Sequence, residues 1–294
     1  MQTSMSVRHI LLALLVVVLL GLSFIAIRWG VDELPPLTLT ALRYLAAAVP
    51  AVVFVRRPQV RLPILLGYGL AIGVGQFGLL FVAIKLGMPA GLSSLVIQLQ
   101  VFFTIFLAFY LFGERPKPVQ VAGALVAFAG IGVIGLARLD GAALLPLLLT
   151  IVAAVCWGLG NMASKAAGRI DMLGFVVWSS LVPPIPLLVG SYLLDGPAAF
   201  TAILDMSPRA IGSVAFMAWG ATLLGFGLWA MLLSRYPANL VAPFALLIPV
   251  AGIGSAALLL GETVSGLEIA GSLLVFAGLL LNVFGPRLFP RAPA

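Results

Sequence analysis

A long apolar run at residues 90–111 carries polar side chains at helical spacing: Ser93, Ser94, Gln98, Gln100 and Thr104. Ser94 and Gln98 are four residues apart, so they share one face of a helix. Hydroxyl and amide groups in an apolar medium need hydrogen-bond partners, because an unpaired polar group there is costly. They can join neighbouring helices, or they can line a cavity that accepts a polar molecule. The spacing alone leaves both roles open.

Aromatic residues stand beside polar ones in three further apolar runs. Trp157 precedes Asn161 by four residues, and Gln76 is followed directly by Phe77. Trp219, like Trp157, lies too far from the ends of its run to be an interfacial anchor. Such tryptophans either pack between helices or form the wall of an apolar pocket. The candidate binding site comprises seven residues: Gln76, Phe77, Ser94, Gln98, Trp157, Asn161 and Trp219.

Prolines interrupt one of the later apolar runs at two positions, Pro243 and Pro249. Each proline removes a backbone donor and tends to kink the helix that contains it. Such kinks can serve as hinges between two conformations of a membrane protein. We expect Pro243 and Pro249 to act as hinges, with a rigid bend as the alternative.

The chain lacks the residue sets that catalysis or metal binding would need. It has one histidine, His9, and one cysteine, Cys156, and its nine carboxylates all fall at loops or at the ends of apolar runs. We therefore expect no enzyme activity, no metal site and no cofactor. A buried carboxylate that could relay protons is also missing, which favours passive movement of a solute down its gradient. Glu114, Glu262 and Glu268, at the rims, remain candidates for proton coupling.

Composition indicates which elements position these residues. Hydrophobic residues make up 63% of the 294 and charged residues 9%, with a mean hydropathy of +1.22, whereas soluble domains average about 25% charged residues. The net charge of +7 lies in short loops between apolar runs, so we expect a lipid bilayer as partner and no nucleic acid. Ten runs are long enough to cross a hydrocarbon core of about 30 Å: 9–30, 37–55, 62–84, 90–111, 117–136, 143–164, 172–193, 209–232, 238–259 and 265–285. The predicted fold class is an all-α integral membrane protein with ten transmembrane helices.

The distribution of lysine and arginine predicts the orientation. If the N-terminus is cytoplasmic, three basic residues lie in segments on the opposite side: Lys85, Arg138 and Arg209. Eleven lie in cytoplasmic segments: Arg8, Arg56, Arg57, Arg61, Arg115, Lys117, Lys165, Arg169, Arg235, Arg287 and Arg291. This excess on one side predicts that both termini are cytoplasmic.

The second half of the chain repeats the first. Residues 87–134 align with 235–282 at a constant offset of 148, with fifteen of 48 positions identical. Gly113 and Glu114 align with Gly261 and Glu262, but the basic loop that follows Glu114 aligns with uncharged residues 263–265. Five helices per half would bring the second half into the membrane from the other side, as the loop charges require. We therefore predict two inverted five-helix repeats, residues 1–139 and 140–294, which build many secondary transporters.

These segments resemble the EamA family of the drug/metabolite transporter superfamily. The resemblance rests on residues 111–116 and their second copy 259–262, on the glycine-rich segments 122–132 and 270–278, and on the arginine-aromatic segment 40–44. It covers nearly the whole chain and implies a ten-helix carrier. The chain is most similar to members that export aromatic and other apolar amino acids from the bacterial inner membrane. Our hypothesis is a central cavity in which Gln98, Asn161 and backbone groups at helix ends contact the charged groups of an amino acid. Phe77, Trp157 and Trp219 would contact its side chain.

Several alternatives remain at this point. The same fold could carry other small metabolites or drugs by proton coupling, although the first run lacks the acidic residue that small multidrug relatives carry there. A metabolite or nucleotide-sugar carrier on the same scaffold would need more cationic groups facing the cavity than the near candidates, which are Arg28, Arg43, Lys85 and Lys165. The oligomeric state stays open, and a monomer is compatible with every observation above.

Overall fold

The computed structural model describes residues 5–137, 144–168, 170–236 and 238–288. Within these ranges the chain is helical and contains no strand, which confirms the predicted all-α class. The predicted repeat boundary at residues 139 and 140 lies outside the described residues, as do Arg138, Arg169 and Arg291. A chain this apolar forms helices because a helix satisfies its backbone polar groups internally.

The first half contains five helices. They are α1 (Val7–Glu33), α2 (Pro36–Val52), α3 (Leu62–Lys85), α4 (Ala90–Phe112) and α5 (Pro118–Leu136). The second half contains α6 (Leu144–Ala167), α7 (Met172–Asp195), α8 (Pro208–Ala215, Phe216–Gly225 and Phe226–Arg235), α9 (Ala238–Ala245 and Leu247–Leu260) and α10 (Gly266–Leu288). A short helix, Ala198–Leu204, connects α7 to α8.

Nine of the helices in the described part of the chain are long and apolar enough to cross a membrane. The tenth, α2, has 17 residues and is shorter than the others. At 1.5 Å per residue it spans about 26 Å, a little less than a hydrocarbon core of about 30 Å. Large apolar side chains such as Phe54, Phe106 and Leu258 are exposed on the outside, where a bilayer would cover them.

The first helix of each half packs against the other half. α1 contacts α8 and α9, whereas α6 contacts α3 and α4. The largest fully buried side chains, among them Phe81, Ile84 and Leu95, lie where α1, α3, α4 and α6 meet. The halves are therefore interleaved rather than simply placed side by side.

The last helices of the two halves, α5 and α10, pack along a line of glycines. A Cβ atom on Gly123 would lie 2.7 Å from the carbonyl oxygen of Gly278, and one on Gly130 would lie 2.6 Å from that of Gly271. These helices are thus antiparallel and separated by little more than their backbones. Gly123 aligns with Gly271 and Gly130 with Gly278, so the exchange of halves maps one contact onto the other.

The two Gly-Glu pairs end equivalent helices in the same way. Gly113 closes α4 with φ of 69°, and Gly261 closes α9 with φ of 63°. This left-handed conformation is one that glycine adopts readily, and it ends the helix.

Five helices in the described part of the chain depart from regular α geometry. α4 contains a single 3₁₀ turn, Ile97–Leu99. α3 and α8 each contain a ten-residue π-helix, Gly69–Gly78 and Phe216–Gly225, at nearly equivalent positions of the two halves. α7 is interrupted between Ser179 and Pro184, and α9 is interrupted at Leu246, between Pro243 and Pro249. Interruptions at membrane depth are tolerated where they line a cavity or where side chains satisfy the freed backbone groups.

Candidate functional site

A small inner cavity lies where the irregular parts of the helices meet. Its volume is about 60 Å³, and its wall combines aromatic, polar and charged side chains from both halves. The lining residues include Arg43, Gln76, Phe77, Trp157, Thr222 and Phe226. The π-helix of α3 supplies Gln76 and Phe77, and that of α8 supplies Thr222. Because π-helical turns frequently occur at functional sites, their meeting here marks the cavity as a candidate site.

The interruption in α7 contributes a further part of the cavity wall. Ser179, Ser180 and Pro183 line the cavity. Gly73 of α3 lies so close to the Pro183 ring that an added Cβ would clash with it. Glycine on one helix and proline on the other therefore bring the two interrupted backbones together beside the cavity.

Arg43 is the cationic residue of this wall, and only 2% of its surface is exposed. Its guanidinium carbon lies 4.0 Å from the centre of the Phe77 ring and 5.1 Å from that of Tyr44. Nη2 donates to Thr222 Oγ1 at 2.8 Å, whereas Nε has no hydrogen-bond partner. Aromatic faces attract a cation through the ring quadrupole. Among the described residues, no carboxylate lies within ion-pair distance of Arg43.

Thr222 has both of its hydrogen-bonding roles occupied. Its hydroxyl donates to the carbonyl of Met217 at 2.9 Å and accepts from Arg43. The bond to Met217 spans five residues, the spacing of the π-helix in which Thr222 lies. The local geometry of α8 thus orients the hydroxyl oxygen towards an arginine of the other half.

Gln76 provides a second unpaired polar atom in the same wall. Its side chain is 3% exposed, and Oε1 has no hydrogen-bond partner in the described structure. An unpaired buried acceptor costs about 1–3 kcal/mol unless another group satisfies it. The residues of the cavity wall therefore include a buried donor, Arg43 Nε, and a buried acceptor, Gln76 Oε1, that have no partner in the described structure.

A wider vestibule of about 670 Å³ adjoins the inner cavity. Tyr68, Val176 and Phe226 line both spaces. The rest of the vestibule wall includes residues 170–173, at the start of α7, and Arg235, at the end of α8. These helix ends lie on the membrane side where α1 begins, so the cavity communicates with that side.

Contacts between the helix ends close the opposite side. Glu262 accepts hydrogen bonds from the backbone N–H groups of Ala90 at 2.7 Å and Gly91 at 3.0 Å, at the start of α4. Arg209, at the start of α8, lies 3.4 Å from Glu33. A carboxylate at a helix N-terminus satisfies free N–H groups and interacts favourably with the helix dipole.

The equivalent acid of the first half has a different partner. Glu114 pairs with Lys165 at the end of α6 on the other side of the membrane. Glu262 does not cap the helix that follows it, since Ser265 and Glu268 already cap α10 through reciprocal hydrogen bonds.

Ser94 and Gln98, which the sequence suggested as cavity residues, lie outside the inner cavity and are buried against α9. Ser94 donates to the carbonyl of Gly91 at 2.5 Å, one turn earlier in its own helix. Gln98 Nε2 donates to the carbonyl of Ala245 at 3.2 Å, beside the interruption in α9. Both side chains thus have protein partners in this state.

Asn161 and Trp219 also lie outside the inner cavity. Asn161 Nδ2 donates to Gln100 Oε1 at 2.8 Å and to Thr104 Oγ1 at 2.9 Å, which joins α6 to α4. Trp219 is 54% exposed on the outer surface, and its Nε1 donates to the carbonyl of Ala46 at 3.0 Å. Of the seven candidates, the cavity brings together Gln76, Phe77 and Trp157.

Sequence reasoning missed Arg43 as a site residue, together with Thr222. A signal was present for Arg43, because it is an arginine inside an apolar run, where ionisable residues usually serve a function. Thr222 gave no such signal, since a threonine is a common helix-packing residue. In the described part of the chain, no group of three or more His, Cys, Asp and Glu residues could hold a metal ion.

Comparison with known proteins identifies relatives along the whole chain. A model of the EamA-like transporter family matches residues 7–136 and 144–284. A "Probable amino-acid metabolite efflux pump" of Salmonella typhimurium is 47% identical over 284 residues, which covers 94% of this chain and 95% of that protein. A protein of Escherichia coli with the same description is 46% identical over 290 residues, which covers 96% of this chain and 97% of that protein. One crystal structure aligns with a TM-score of 0.66 at 20% identity, over 97% of this chain and 99% of that one, and shows the same fold.

Proposed function

The chain belongs to the EamA-like transporter family, and from this premise we propose that it exports aromatic and other apolar amino acids. Family membership makes it a multi-pass membrane transporter rather than an enzyme. The description of both efflux-pump relatives as transporting amino-acid metabolites supports the substrate class.

The observation that carries the proposal is the wall of the inner cavity. It combines the rings of Phe77, Trp157 and Phe226 with polar groups that have unused hydrogen-bonding capacity. Binding sites for small amphipathic molecules typically pair apolar walls with a few placed polar groups. An amino acid with an apolar side chain matches both kinds of wall.

Transport would proceed by alternating access between two states. With the N-terminus in the cytoplasm, as the basic loops indicate, the vestibule opens to the cytoplasm and the Glu262 cap lies on the outer side. This arrangement suits a cytoplasmic membrane exporter about to take up its substrate. Re-packing of α3, α7, α8 and α9 at their interruptions, including Pro243 and Pro249, would then open the other side.

The inverted relationship of residues 1–139 and 140–294 gives this exchange a structural basis. The antiparallel glycine contacts between α5 and α10 and the paired π-helices support such a repeat. If the halves can exchange conformations, the outward-open state would resemble the present one with the roles of the halves reversed. The cavity between them would then face the other side without being rebuilt.

The driving force proposed is the substrate gradient itself. Within the described residues, the inner cavity has no carboxylate or histidine in its wall that could carry a proton. A proton-coupled exporter of other metabolites or drugs is the competing function, and Glu114, Glu262 and Glu268 at the rims are the candidate groups for it.

Purified protein in liposomes tests the function directly. Vesicles loaded with unlabelled phenylalanine or methionine should accumulate the labelled amino acid by counterflow, and the rate should saturate. Imposing a pH gradient should leave the rate unchanged, whereas a proton-coupled carrier would respond to it. Absence of counterflow for every apolar amino acid would contradict the proposed function. Transport of glutamate or lysine at the same rate as phenylalanine would contradict the proposed specificity for apolar side chains.

A further inference from the structure

Arg43 is a buried cation for which the described residues provide no anion. Its partners there are the aromatic faces of Tyr44, Phe77 and Phe81 and the hydroxyl of Thr222, all of them electrically neutral. Burying a charge is unfavourable unless an opposite charge or several hydrogen bonds compensate it. Neutral partners hold the guanidinium in place but leave Nε unused. The side chain is therefore prepared for an anion that comes from outside the protein.

Gln76 supplies the complementary feature in the same wall. Its Oε1 is an acceptor without a donor, and its neighbour in sequence, Phe77, is the ring closest to the Arg43 guanidinium. A molecule that satisfies both unpaired atoms must offer an anionic or accepting group to Arg43 and a donor to Gln76. The backbone end of a free amino acid offers a carboxylate and an ammonium group one carbon apart.

We infer that Arg43 binds the carboxylate of the transported molecule while Gln76 accepts a hydrogen bond from its ammonium group. This inference rests on the proposed function and adds the chemical requirement for transport, a free carboxylate. Guanidinium groups bind carboxylates through charge-assisted hydrogen bonds, which are stronger than bonds between neutral groups.

The sizes of the two spaces indicate how the molecule lies. The inner cavity, about 60 Å³, is the smaller of the two spaces, and Arg43 and Gln76 lie in its wall and not in that of the vestibule. The vestibule of about 670 Å³ adjoins it through Tyr68, Val176 and Phe226. The amino acid therefore enters with its charged end first, and its side chain remains in the wider space. Recognition is strict at the charged end and tolerant along the side chain.

Competition against labelled phenylalanine in proteoliposomes tests this requirement on the unaltered protein. Phenylalaninamide lacks the carboxylate, and 3-phenylpropanoate lacks the ammonium group. We expect phenylalaninamide to compete about 10- to 100-fold more weakly than phenylalanine, because it cannot form the charged bonds to Arg43. The propanoate should compete better than the amide. Equal competition by phenylalanine and its amide would overturn the inference without reference to any mutant.

Variants separate recognition from folding. Arg43→Gln removes the cation, and it should reduce phenylalanine affinity at least about tenfold while leaving the affinity for phenylalaninamide nearly unchanged. Arg43→Lys should retain part of the preference for the carboxylate, because the charge remains. If Arg43 served packing alone, Arg43→Gln would lower the affinity for phenylalanine and for phenylalaninamide by the same factor, and the inference would fail.

Two further variants complete the set. Arg28→Gln is the matched control, because Arg28 also lies near the membrane but pairs with Asp32 at 3.3 Å, outside the cavity wall. It should keep the preference of the unaltered protein for phenylalanine over its amide. Gln76→Leu should weaken the binding of phenylalanine and leave the binding of 3-phenylpropanoate unchanged. An equal loss of affinity for both ligands would contradict the role of Oε1.

The outcomes distinguish this inference from the function on which it rests. No saturable flux of any apolar amino acid would remove the proposed function and the inference with it. Saturable phenylalanine flux with equal competition by the amide would remove the inference alone.

Discussion

Gln98 in α4 completes a hydrogen bond that Pro249 in α9 cannot make. Pro249 has no N–H, so the carbonyl four residues earlier, that of Ala245, lacks its helical donor, and Gln98 Nε2 donates to it at 3.2 Å. Trp219 has the same relationship to Pro50 in α2, because its Nε1 donates to the carbonyl of Ala46 at 3.0 Å. In both cases a side chain of one half satisfies a backbone group of the other.

Replacement of Gln98 by leucine should therefore destabilise the protein more than it impairs substrate recognition. The Ala245 carbonyl would lose its donor, at a cost of about 1 kcal/mol and up to roughly 2 kcal/mol. Thermal unfolding in detergent measures the stability. Counterflow measures KM, which should stay within about twofold of the original value because Gln98 lies outside the inner cavity.

Pro249→Ala provides the matching control, because it restores the N–H that bonds to Ala245. In the Pro249→Ala protein, Gln98→Leu should lower the free energy of unfolding clearly less than in the original protein. The effects of the two changes on stability should therefore be non-additive. Strict additivity would show that the proline and the glutamine act separately.

The two deep tryptophans should behave differently. Trp157→Ala removes a ring from the cavity wall and should lower phenylalanine affinity about fivefold, since aromatic contacts of this kind contribute about 1 kcal/mol. Trp219→Ala makes the same change on the outer surface and should retain the original KM. A larger loss of affinity in Trp219→Ala than in Trp157→Ala would contradict the position of the site.

Glu262 should control which side of the carrier is open. Glu262→Gln weakens the two bonds to the start of α4, and loss of charge-assisted bonds of about 1–2 kcal/mol shifts a two-state equilibrium roughly five- to thirtyfold. Met88, beside this contact, is fully buried. In a protein with Cys156→Ser, a cysteine at position 88 should therefore react faster with a membrane-impermeant maleimide once Glu262 is changed.

Glu114→Gln is the control for that experiment. Glu114 aligns with Glu262 but forms an exposed pair with Lys165, and exposed pairs contribute about 0–1 kcal/mol. It should leave labelling at position 88 unchanged. Equal labelling in the Glu262 variant and its parent would exclude the cap as a determinant of the closed side.

The glycines between α5 and α10 should tolerate no side chain. In Gly130→Ala the new methyl group would lie 2.6 Å from the backbone oxygen of Gly271, which cannot rotate away, so we expect a loss of about 1–3 kcal/mol. Gly132→Ala adds the same methyl group where nothing lies within 4 Å and should not destabilise the protein. Thermal unfolding of the two variants makes the comparison, and equal midpoints would show that the helices can separate at no cost.

Much of the architecture was predictable because the bilayer constrains it strongly. A 30.7 kDa chain with 63% hydrophobic residues has few ways to satisfy its backbone in lipid, so apolar runs of about twenty residues predict helices. Gly113 and Gly261 end α4 and α9 with positive φ, a conformation that glycine adopts readily. The two π-helices were not predicted, because their residues have the same apolar composition as a regular helix.

The candidate site was predictable only in part. Gln76, Phe77 and Trp157 reach the cavity, whereas Gln98, Asn161 and Trp219 bond to neighbouring helices. Helical spacing determines which side chains share a face, but it does not determine what that face meets. A glutamine that lines a cavity and one that satisfies a proline-freed carbonyl look alike in a sequence.

The sequence by itself thus determined the solvent, the helices, the family and the type of residue that could bind a small solute. Tertiary structure decided which of those residues meet. It brought Arg43 of α2 to Thr222 of α8, 179 positions away, and left Nε of the arginine and Oε1 of Gln76 without partners in one cavity. The reason is physical: hydropathy and helical period act along the chain, whereas the pairing of buried polar groups depends on contacts between helices that no local pattern records.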